Sequence, residues 1–423
     1  MTDEEKRRKQ EISERLPSVE SIQRELGKAE SIDDFFGKEG IFSRLFAEAM
    51  ETMLEAELTE QLGYEPYEAK GRKSGNSRNG KRKKKVRTSG GETELQVPRD
   101  RNSEFQSLLL EKHQANSNEV ENKVIALYAR GNSTRDIRAI LEDLYGIDVS
   151  ATTISTITDK IWPLVEQWQS RPLEKLYPIV YLDALHVKLR REGKVQNTAL
   201  YTVLAVDMDG HRDILGHWVG DAGEGANFWL SVISDLQSRG VEDILIACVD
   251  GLSGFSDAIH AVYPDTDVQR CIIHQIRHSL RYVAWADRKE FTKDLRRIYQ
   301  APTREQAESH LLQLGERWGQ QYAIAVRSWE NNWDELATMF AYPTQIRRLI
   351  YTTNSVEGYH RQLRKVVKTK GSFPSAQSVR KLLYLVNENV TRKWGPGGSP
   401  PIRDWPKILN QLTIRYDTRM PIP

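Results

Sequence analysis

Apolar side chains recur along this chain with two different periods, and the change between them divides it. From Ile41 to Leu62 the apolar positions Leu45, Phe46, Ala49, Met53, Leu54 and Leu58 keep a helical repeat, and residues 1–65 read as helix. Gly63, Gly71 and Gly75 break it. Lys84–Thr88 and Glu92–Val97 then alternate in polarity about Ser89-Gly90-Gly91, a hairpin signal closed by Pro98 and too small to fold alone. Residues 119–165 predict short helices. Val124, Ile125, Leu127 and Tyr128 make one apolar stripe, stopped by Gly131-Asn132. Ser133 and Asp136 open a second helix as a capping box, carried by Ile137, Ile140, Leu141 and Leu144 to Gly146. Ser150 caps a third, polar helix over 151–157. From residue 178 the period becomes 2, predicting strands Ile179–Lys188, Ala199–Val206 and Ile214–Val219, the last two joined by an Asp209-Gly210 tight turn. Asn227–Ser238 is an amphipathic helix, and the continuous apolar run Ile244–Val249 marks a strand buried on both faces. After residue 270 the pattern is helical to about residue 340, and a last helix starts near Ser355.

At 423 residues, 39% hydrophobic and 28% charged, the chain is no disordered polymer and has length for roughly two to four domains. No apolar run approaches the roughly 18 residues of a membrane span, and the N-terminus lacks a signal peptide's apolar stretch. Cys248 and Cys271 are too few for a disulfide framework. These features predict a soluble, intracellular, multidomain protein. Its net charge of +2 conceals an asymmetry. Between residues 70 and 87 lie Lys70, Arg72, Lys73, Arg78, Lys81, Arg82, Lys83, Lys84, Lys85 and Arg87, with no acid among them. Without these ten, 51 basic residues would face 59 acidic ones, a net of −8. A cationic segment with interspersed Gly and Asn suits a pliable arm that neutralises nucleic-acid phosphates; a solvated basic loop is the blander reading. The short helices, with Thr152, Thr153, Ser155 and Thr156 on the last, fit a helix-turn-helix that reads DNA, and equally an ordinary helical bundle.

Candidate chemistry lies at strand ends. Asp183 follows Ile179–Leu182, and Asp250 follows Ile244–Val249. A carboxylate at the end of a buried strand is costly unless a cation compensates it. In a β-β-β-α-β sheet the first and fourth strands are neighbours, which would bring both acids to one oxygen-loving ion such as magnesium. Each aspartate alone reads as a strand-end or turn residue. A third acid is available in the last helix. There Glu357, Arg361, Arg364 and Lys368, spaced i, i+4, i+7 and i+11, share a face beside the stripe Val356, Tyr359, Leu363 and Val366 or Val367. Trp285, Trp318, Trp329 and Trp333 fall in the helical stretch before it. Trp329 and Trp333, four apart on one face, could stack on an unpaired base, though core packing is the more ordinary use.

The run IRRLIYTTNSVEGYHRQLRKVVKTKGSF, together with VYLDALHVK, VDGLSGF, QRCIIHQIRH and VPRDR, resembles the Mutator-type transposases of bacterial insertion sequences from about residue 40 to 395. The resemblance implies a multidomain α/β protein: a ribonuclease H-like mixed sheet interrupted by an all-helical insertion, with N-terminal helical DNA-binding domains. The expected divisions are a helical region (1–68), the basic arm and hairpin (69–103) and a helix-turn-helix domain (104–172). The first part of the catalytic core (173–270), the insertion (271–345), the helix with Glu357 (346–395) and a tail (396–423) follow. By position Asp183, Asp250 and Glu357 match an Asp-Asp-Glu triad holding two Mg²⁺ ions, with Mn²⁺ able to substitute. Cys271 and His274 match the family's Cys-x-x-His motif. His278 continues that helical face, yet without a fourth ligand zinc is disfavoured and a structural or DNA-positioning role expected. The implied activity is cleavage at the ends of an insertion sequence and joining of a 3′-hydroxyl to a target strand. Its partners would be double-stranded DNA, as terminal inverted repeats and target, and a second copy of the chain, in the cytoplasm at the bacterial nucleoid. A nuclease or resolvase that cuts without joining, and a catalytically silent DNA-binding descendant, are the competing readings.

Overall fold

The computed structural model describes residues 19–30, 32–35, 40–68, 71, 75–88, 91–110, 118–220, 226–251, 254–351, 354–394 and 399–420; the side chains at 354–357 lie outside that description. Two compact units divide the chain, Met1–Lys160 and Ile161–Pro423. Among the described residues no helix is long and apolar enough to cross a membrane.

In the first unit, helices α1 (Val19–Leu26) and α2 (Ile41–Leu62) precede an antiparallel hairpin of β1 (Arg78–Thr88) and β2 (Gly91–Asp100). Leu54 and Leu58 are the buried positions of the α2 stripe. Leu54 closes with Val86, Leu95, Val97 and Leu110 into a small core, which is how so short a hairpin persists. The hairpin is longer than its alternation predicts. It starts at Arg78, and Pro98 sits inside it opposite Lys81, beside a register shift. Much of the basic segment is therefore strand, not a pliable arm. Lys81, Lys83 and Lys85 project outward, and Glu55, Glu94 and Glu92 pair with them at 3.0, 2.8 and 3.5 Å. These acids relieve the repulsion that would otherwise extend the chain. Arg78 turns inward, donating to Thr59 Oγ1 (2.7 Å) and the Tyr64 carbonyl (3.0 Å). Lys70, Arg72, Lys73 and Ser89-Gly90 lie outside the described residues.

Three helices complete this unit: α3 (Asn118–Ala129), α4 (Thr134–Tyr145) and α5 (Ala151–Asp159). The Ser133–Asp136 capping box is present in both directions, Gly146 ends α4 with φ 60°, and Ser150 caps α5 through the Thr153 amide.

The second unit opens with α6 (Trp162–Gln169) and is built on one five-stranded sheet. Its strands are β3 (Leu176–Arg191), β4 (Lys194–Val206), β5 (Arg212–Val219), β6 (Asp243–Val249) and β7 (Asp267–Arg270), in the order β5-β4-β3-β6-β7. β3, β4 and β5 run antiparallel to one another, whereas β6 and β7 pair parallel to β3 and β6. Helices α7 (Ala226–Ser238) and α8 (Phe255–Val262) bury Trp229, Val232, Ile233, Leu236, Phe255 and Ile259 against Val180, Leu182, Tyr201 and Val203. Alternation sends the residues between these to the opposite face. That face meets α9–α14 (Ile272–Ser279, Arg288–Tyr299, Arg304–Trp318, Ala323–Asn331, Trp333–Ala337, Thr344–Ile350), α15 (Asn354–Val367) and α16 (Ala376–Trp394) in part: Tyr181 Oη donates to the Leu349 carbonyl at 3.1 Å.

Two elements extend the sheet's expected set, α8 and β7, and a third, α17 (Trp405–Tyr416), lies in what the sequence suggests is a tail. Arg419 clamps Asp243 at 2.6 Å, and Tyr416 Oη donates to Asp267 at 2.8 Å, fastening this segment to the start of β6 and β7. The turn at Asp209-Gly210 is real but wider than two residues, spanning 207–211 between β4 and β5. Gly210 has φ 84°, and a Cβ there would meet the Trp405 ring at 2.4 Å. Gly210→Ala is thus expected to destabilise the protein by about 2 kcal/mol or more, from left-handed backbone strain plus collision. In a Trp405→Ala background only the backbone part should remain, so denaturant titrations of the four proteins should show clear non-additivity.

Candidate active site

Parallel pairing of β3 with β6 sets Leu182 opposite Val249. The residue after each is an acid: Asp183, within β3, and Asp250, just past the end of β6. Asp183 is 4% exposed and Asp250 half-buried. Gly251, with φ 87°, turns the chain away directly after Asp250, and Arg270 Nη1 reaches its carbonyl at 3.4 Å. Arg270 is itself held by Glu335 of α13 (Nε–Oε2 2.7 Å), so the helical segment braces the loop that follows the second acid.

Cys271 fixes the next element. Its amide donates to the Val249 carbonyl at 2.8 Å, which starts α9 beside Asp250 and delivers His274 to the acids. Asp183, Asp250 and His274 each offer a ligand atom within 4.8 Å of the others. Cys271 is fully buried and Cys271 Sγ is no member of that cluster. His278 is no member either; its Nδ1 lies 3.5 Å from Ser328 Oγ, one helix away from the acids. His360 arrives from α15 with Nδ1 3.1 Å from Asp183 Oδ2. Burial pushes the Asp183 carboxyl up, but His360, His274 and the Ala184 amide (2.8 Å) outweigh it, and its pKa falls below the ordinary aspartate value. Burial likewise pushes the His274 imidazole down, yet Cys271, Asp183 and Asp250 raise its pKa to about 9.

Beneath the acids lies a second layer that the sequence does not announce. Thr202 sits opposite Asp183 on β4, and its hydroxyl is 3.1 Å from His217 Nδ1. His217 Nε2 is 2.9 Å from Tyr359 Oη, and the two rings stack. Among the described side chains of α15, Tyr359, His360, Leu363 and Val367 are buried, so the expected stripe holds from Tyr359 on, with Val367 in place and a histidine added, while the Val356 side chain lies outside the described residues. Arg361, Arg364 and Lys368 are exposed on the other face. α15 contains Glu357 one turn before His360, but the Glu357 side chain lies outside the described residues. Trp329 and Trp333 do not share a helical face, because α12 ends at Asn331 and α13 starts at Trp333. Trp329 is fully buried with Nε1 donating to Ser279 Oγ (2.9 Å), which closes it to base stacking; Trp333 donates to Glu308. On α5, Thr152, Ser155 and Thr156 are exposed, while the Thr153 hydroxyl is engaged by Ser150 at 2.9 Å.

The family description "Transposase, Mutator family" matches residues 16–397 of this chain. The chain belongs to the Mutator family of transposases. It is 44% identical over 387 residues to a probable transposase for an ISRM3-like insertion sequence element of Sinorhizobium fredii, covering 91% of this chain and 95% of that one. The ISRM3 transposase of Rhizobium meliloti is 43% identical over the same shares. A transposase for the element IS256 of Staphylococcus aureus is 26% identical over 86% of this chain and 94% of its own. This transposase is therefore an enzyme that acts on DNA, and divalent-metal dependence goes with its family. Among the described residues, Asp183 and Asp250 stand with His274 where such an ion could be held. The donors are carboxylate oxygens plus an imidazole, and His274 Nδ1 is buried without a hydrogen-bond partner.

The His217 layer has a pH signature. Burial lowers its pKa from 6.5 to about 3. The unfolded chain then binds a proton that the folded chain refuses, so stability is full above the unfolded value and falls as pH drops, by up to about 1.4 kcal/mol per pH unit. Denaturation series from about pH 6.5 to 4.5 should show that slope in the wild type and a shallower one in His217→Gln.

Proposed function

We propose that this transposase binds the ends of its insertion sequence, cuts DNA there and joins the freed 3′-hydroxyl to a target strand. The acids would be Asp183, Asp250 and Glu357 on a ribonuclease H-like core, with the helices over 271–345 as its insertion. The observation that carries this reading is the convergence of Asp183, Asp250 and His274 where the parallel pairing of β3 with β6 stops, in a chain of the Mutator family. Glu357 is assigned by its match to the family triad, supported by its place one turn before His360, which touches Asp183. Two Mg²⁺ ions held there, or Mn²⁺ in their stead, would activate the attacking oxygen and stabilise the leaving one at phosphorus. The chain's own part is to hold anionic ligands at fixed spacing, with His274 as a compensating group and His360 against Asp183. Tyr359 and His217 would hold α15 against the sheet, and so the height of the third acid.

End recognition is assigned to the first unit. Thr152, Ser155 and Thr156 would face bases and Thr153 would help by capping. Lys81, Lys83 and Lys85, with Arg82, Lys84, Arg87 and the more N-terminal Lys70, Arg72 and Lys73, would face phosphates. Exposed ion pairs contribute about 0–1 kcal/mol each, so exchanging Glu94 for a phosphate at Lys83 is cheap. Arg78, engaged with Thr59 and Tyr64, would act by holding the hairpin to α2. Synapsis of two ends calls for a homodimer, at the nucleoid in the cytoplasm.

A strand-transfer assay with labelled element ends tests the whole reading. Joined product from the wild type, reduced by about 10²–10³-fold or more in Asp183→Asn, Asp250→Asn and Glu357→Gln, is the expected outcome. Cleavage without joining would mark a nuclease, and binding alone a silent descendant. Replacing Lys81, Lys83 and Lys85 together by Gln should lower the slope of log affinity against log salt by about 3 if all three meet phosphates. An unchanged slope would leave them as surface ion pairs.

A further inference from the structure

Of the ten tryptophans, all among the described residues, only Trp285 is exposed, at 85%. A lone apolar side chain on a surface needs no explanation, but a flat ring held out by a fixed loop does. Trp285 lies in the loop 280–287 that joins α9 to α10. Two turns shape this loop: the Tyr282 amide donates to the Ser279 carbonyl at 3.0 Å, and the Asp287 amide to the Ala284 carbonyl at 3.0 Å. Val283, 2% exposed, anchors the middle, and Arg288 Nε donates to its carbonyl at 3.1 Å. The Asp287 carboxylate accepts from Tyr322 Oη and from Gln321 Nε2 (3.2 Å), which fastens the far end to the residues before α12. Folding Trp285 under would break these bonds.

The loop continues a row of rings that begins at the acids. His274, His278 and Tyr282 are spaced i, i+4 and i+8 along α9 and the turn after it, which puts them on one helical face. His274 is half-buried, whereas His278 and Tyr282 are exposed; the last two rings meet edge to face with centroids 5.4 Å apart. Eight residues at a rise of about 1.5 Å each put Tyr282 roughly 12 Å from His274. Trp285 follows three residues on.

We propose that Trp285, at the end of this row, is a stacking platform for one unpaired nucleobase of the DNA end, within about four nucleotides of the scissile phosphate. The proposal rests on the DNA-cutting reading of the acids and adds a subsite to it. An indole offers a broad π face that accepts any base. A base inside the duplex has both faces covered, so the ring takes only one that is unpaired or swung out of the stack. Arg281 in the loop and Lys289 just after it are exposed cations, which suits a nucleotide better than the apolar core of a protein interface. Trp285 is a positioning residue: it holds the strand and takes no part in bond exchange.

Equilibrium binding without added divalent ion, so that nothing is cut, tests this. The probes are duplexes carrying the element's terminal sequence, taken from the DNA that flanks the gene, each with one abasic sugar at a stepped position. At a single position near the cut, losing the base should cost the wild-type chain about fivefold or more in affinity relative to its effect on Trp285→Ala. At every other position the two proteins should respond alike. Trp285→Phe should follow the wild type and Trp285→Leu should follow Trp285→Ala, because stacking needs a ring and not only apolar area. The melting temperature of Trp285→Ala should match the wild type, since the side chain is so exposed. Equal responses at every position would overturn the proposal, as would wild-type behaviour in Trp285→Leu. Loss of self-association in Trp285→Ala, with no position singled out, would mark a contact between copies and overturn it too. Cleavage of the intact duplex once Mg²⁺ is added judges the cutting reading separately. Wild-type cutting with no privileged position removes only the platform, whereas no cutting removes the reading on which it rests.

Discussion

Holding two carboxylates within ligand distance of each other is the constraint on which the second unit is built. Like charges so close, one of them nearly sealed from water, repel and lose hydration together. The parallel register of β3 on β6 nevertheless forces Asp183, midway along β3, beside Asp250, just past the end of β6, because each continues a run too apolar to move outward. Compensation comes from His274, whose pKa these acids help to raise, with His360 packed on the other side of Asp183. α9 starts at Cys271, hydrogen-bonded to the end of β6, and α15 lays His360 against Asp183. The site is therefore as much a charge-balancing problem as a catalytic one, and a divalent cation is the natural completion of it.

Much of the remaining structure makes that arrangement rigid. The α7/α8 layer fills one face of the sheet, so the acids can face only the other. The Thr202–His217–Tyr359 chain replaces what would have been apolar contact with oriented polar contact, fixing α15 in rotation as well as in distance. Glu335 and Arg270 tie the helical segment to the loop after Asp250, and the Ile272 amide donates to the Tyr351 carbonyl, joining the start of α9 to the approach of α15. A helical segment placed between the second acid and the last helix can in this way govern both without supplying a ligand.

The first unit works by different means. A small apolar core under one hairpin suffices because α2 covers it, and the hairpin's outward face is a row of exposed lysines paired with the half-buried Glu55 and Glu92 and the exposed Glu94. Weak, solvent-screened pairs of this kind keep the strand folded in the absence of DNA while leaving its charge exchangeable.

Local rules determined a good deal on their own. The capping box at Ser133, the Ser150 cap, the alternation through β3 to β5 and the apolar run of β6 follow from side-chain period and hydrogen-bonding capacity, which act over a few residues. The adjacency of Asp183 and Asp250 followed too, because strand order limits which strands can neighbour. What lay beyond reach depends on contacts distant in sequence. Four-residue β7 has too little pattern to show a period, and α17 reads as tail until Asp243 and Asp267 are seen to hold it. His217 and His360 look like ordinary polar residues in sequence. Their surroundings come from strands and helices distant in sequence, 142 residues away in the His217–Tyr359 contact, and only the closed fold decides which charges face one another.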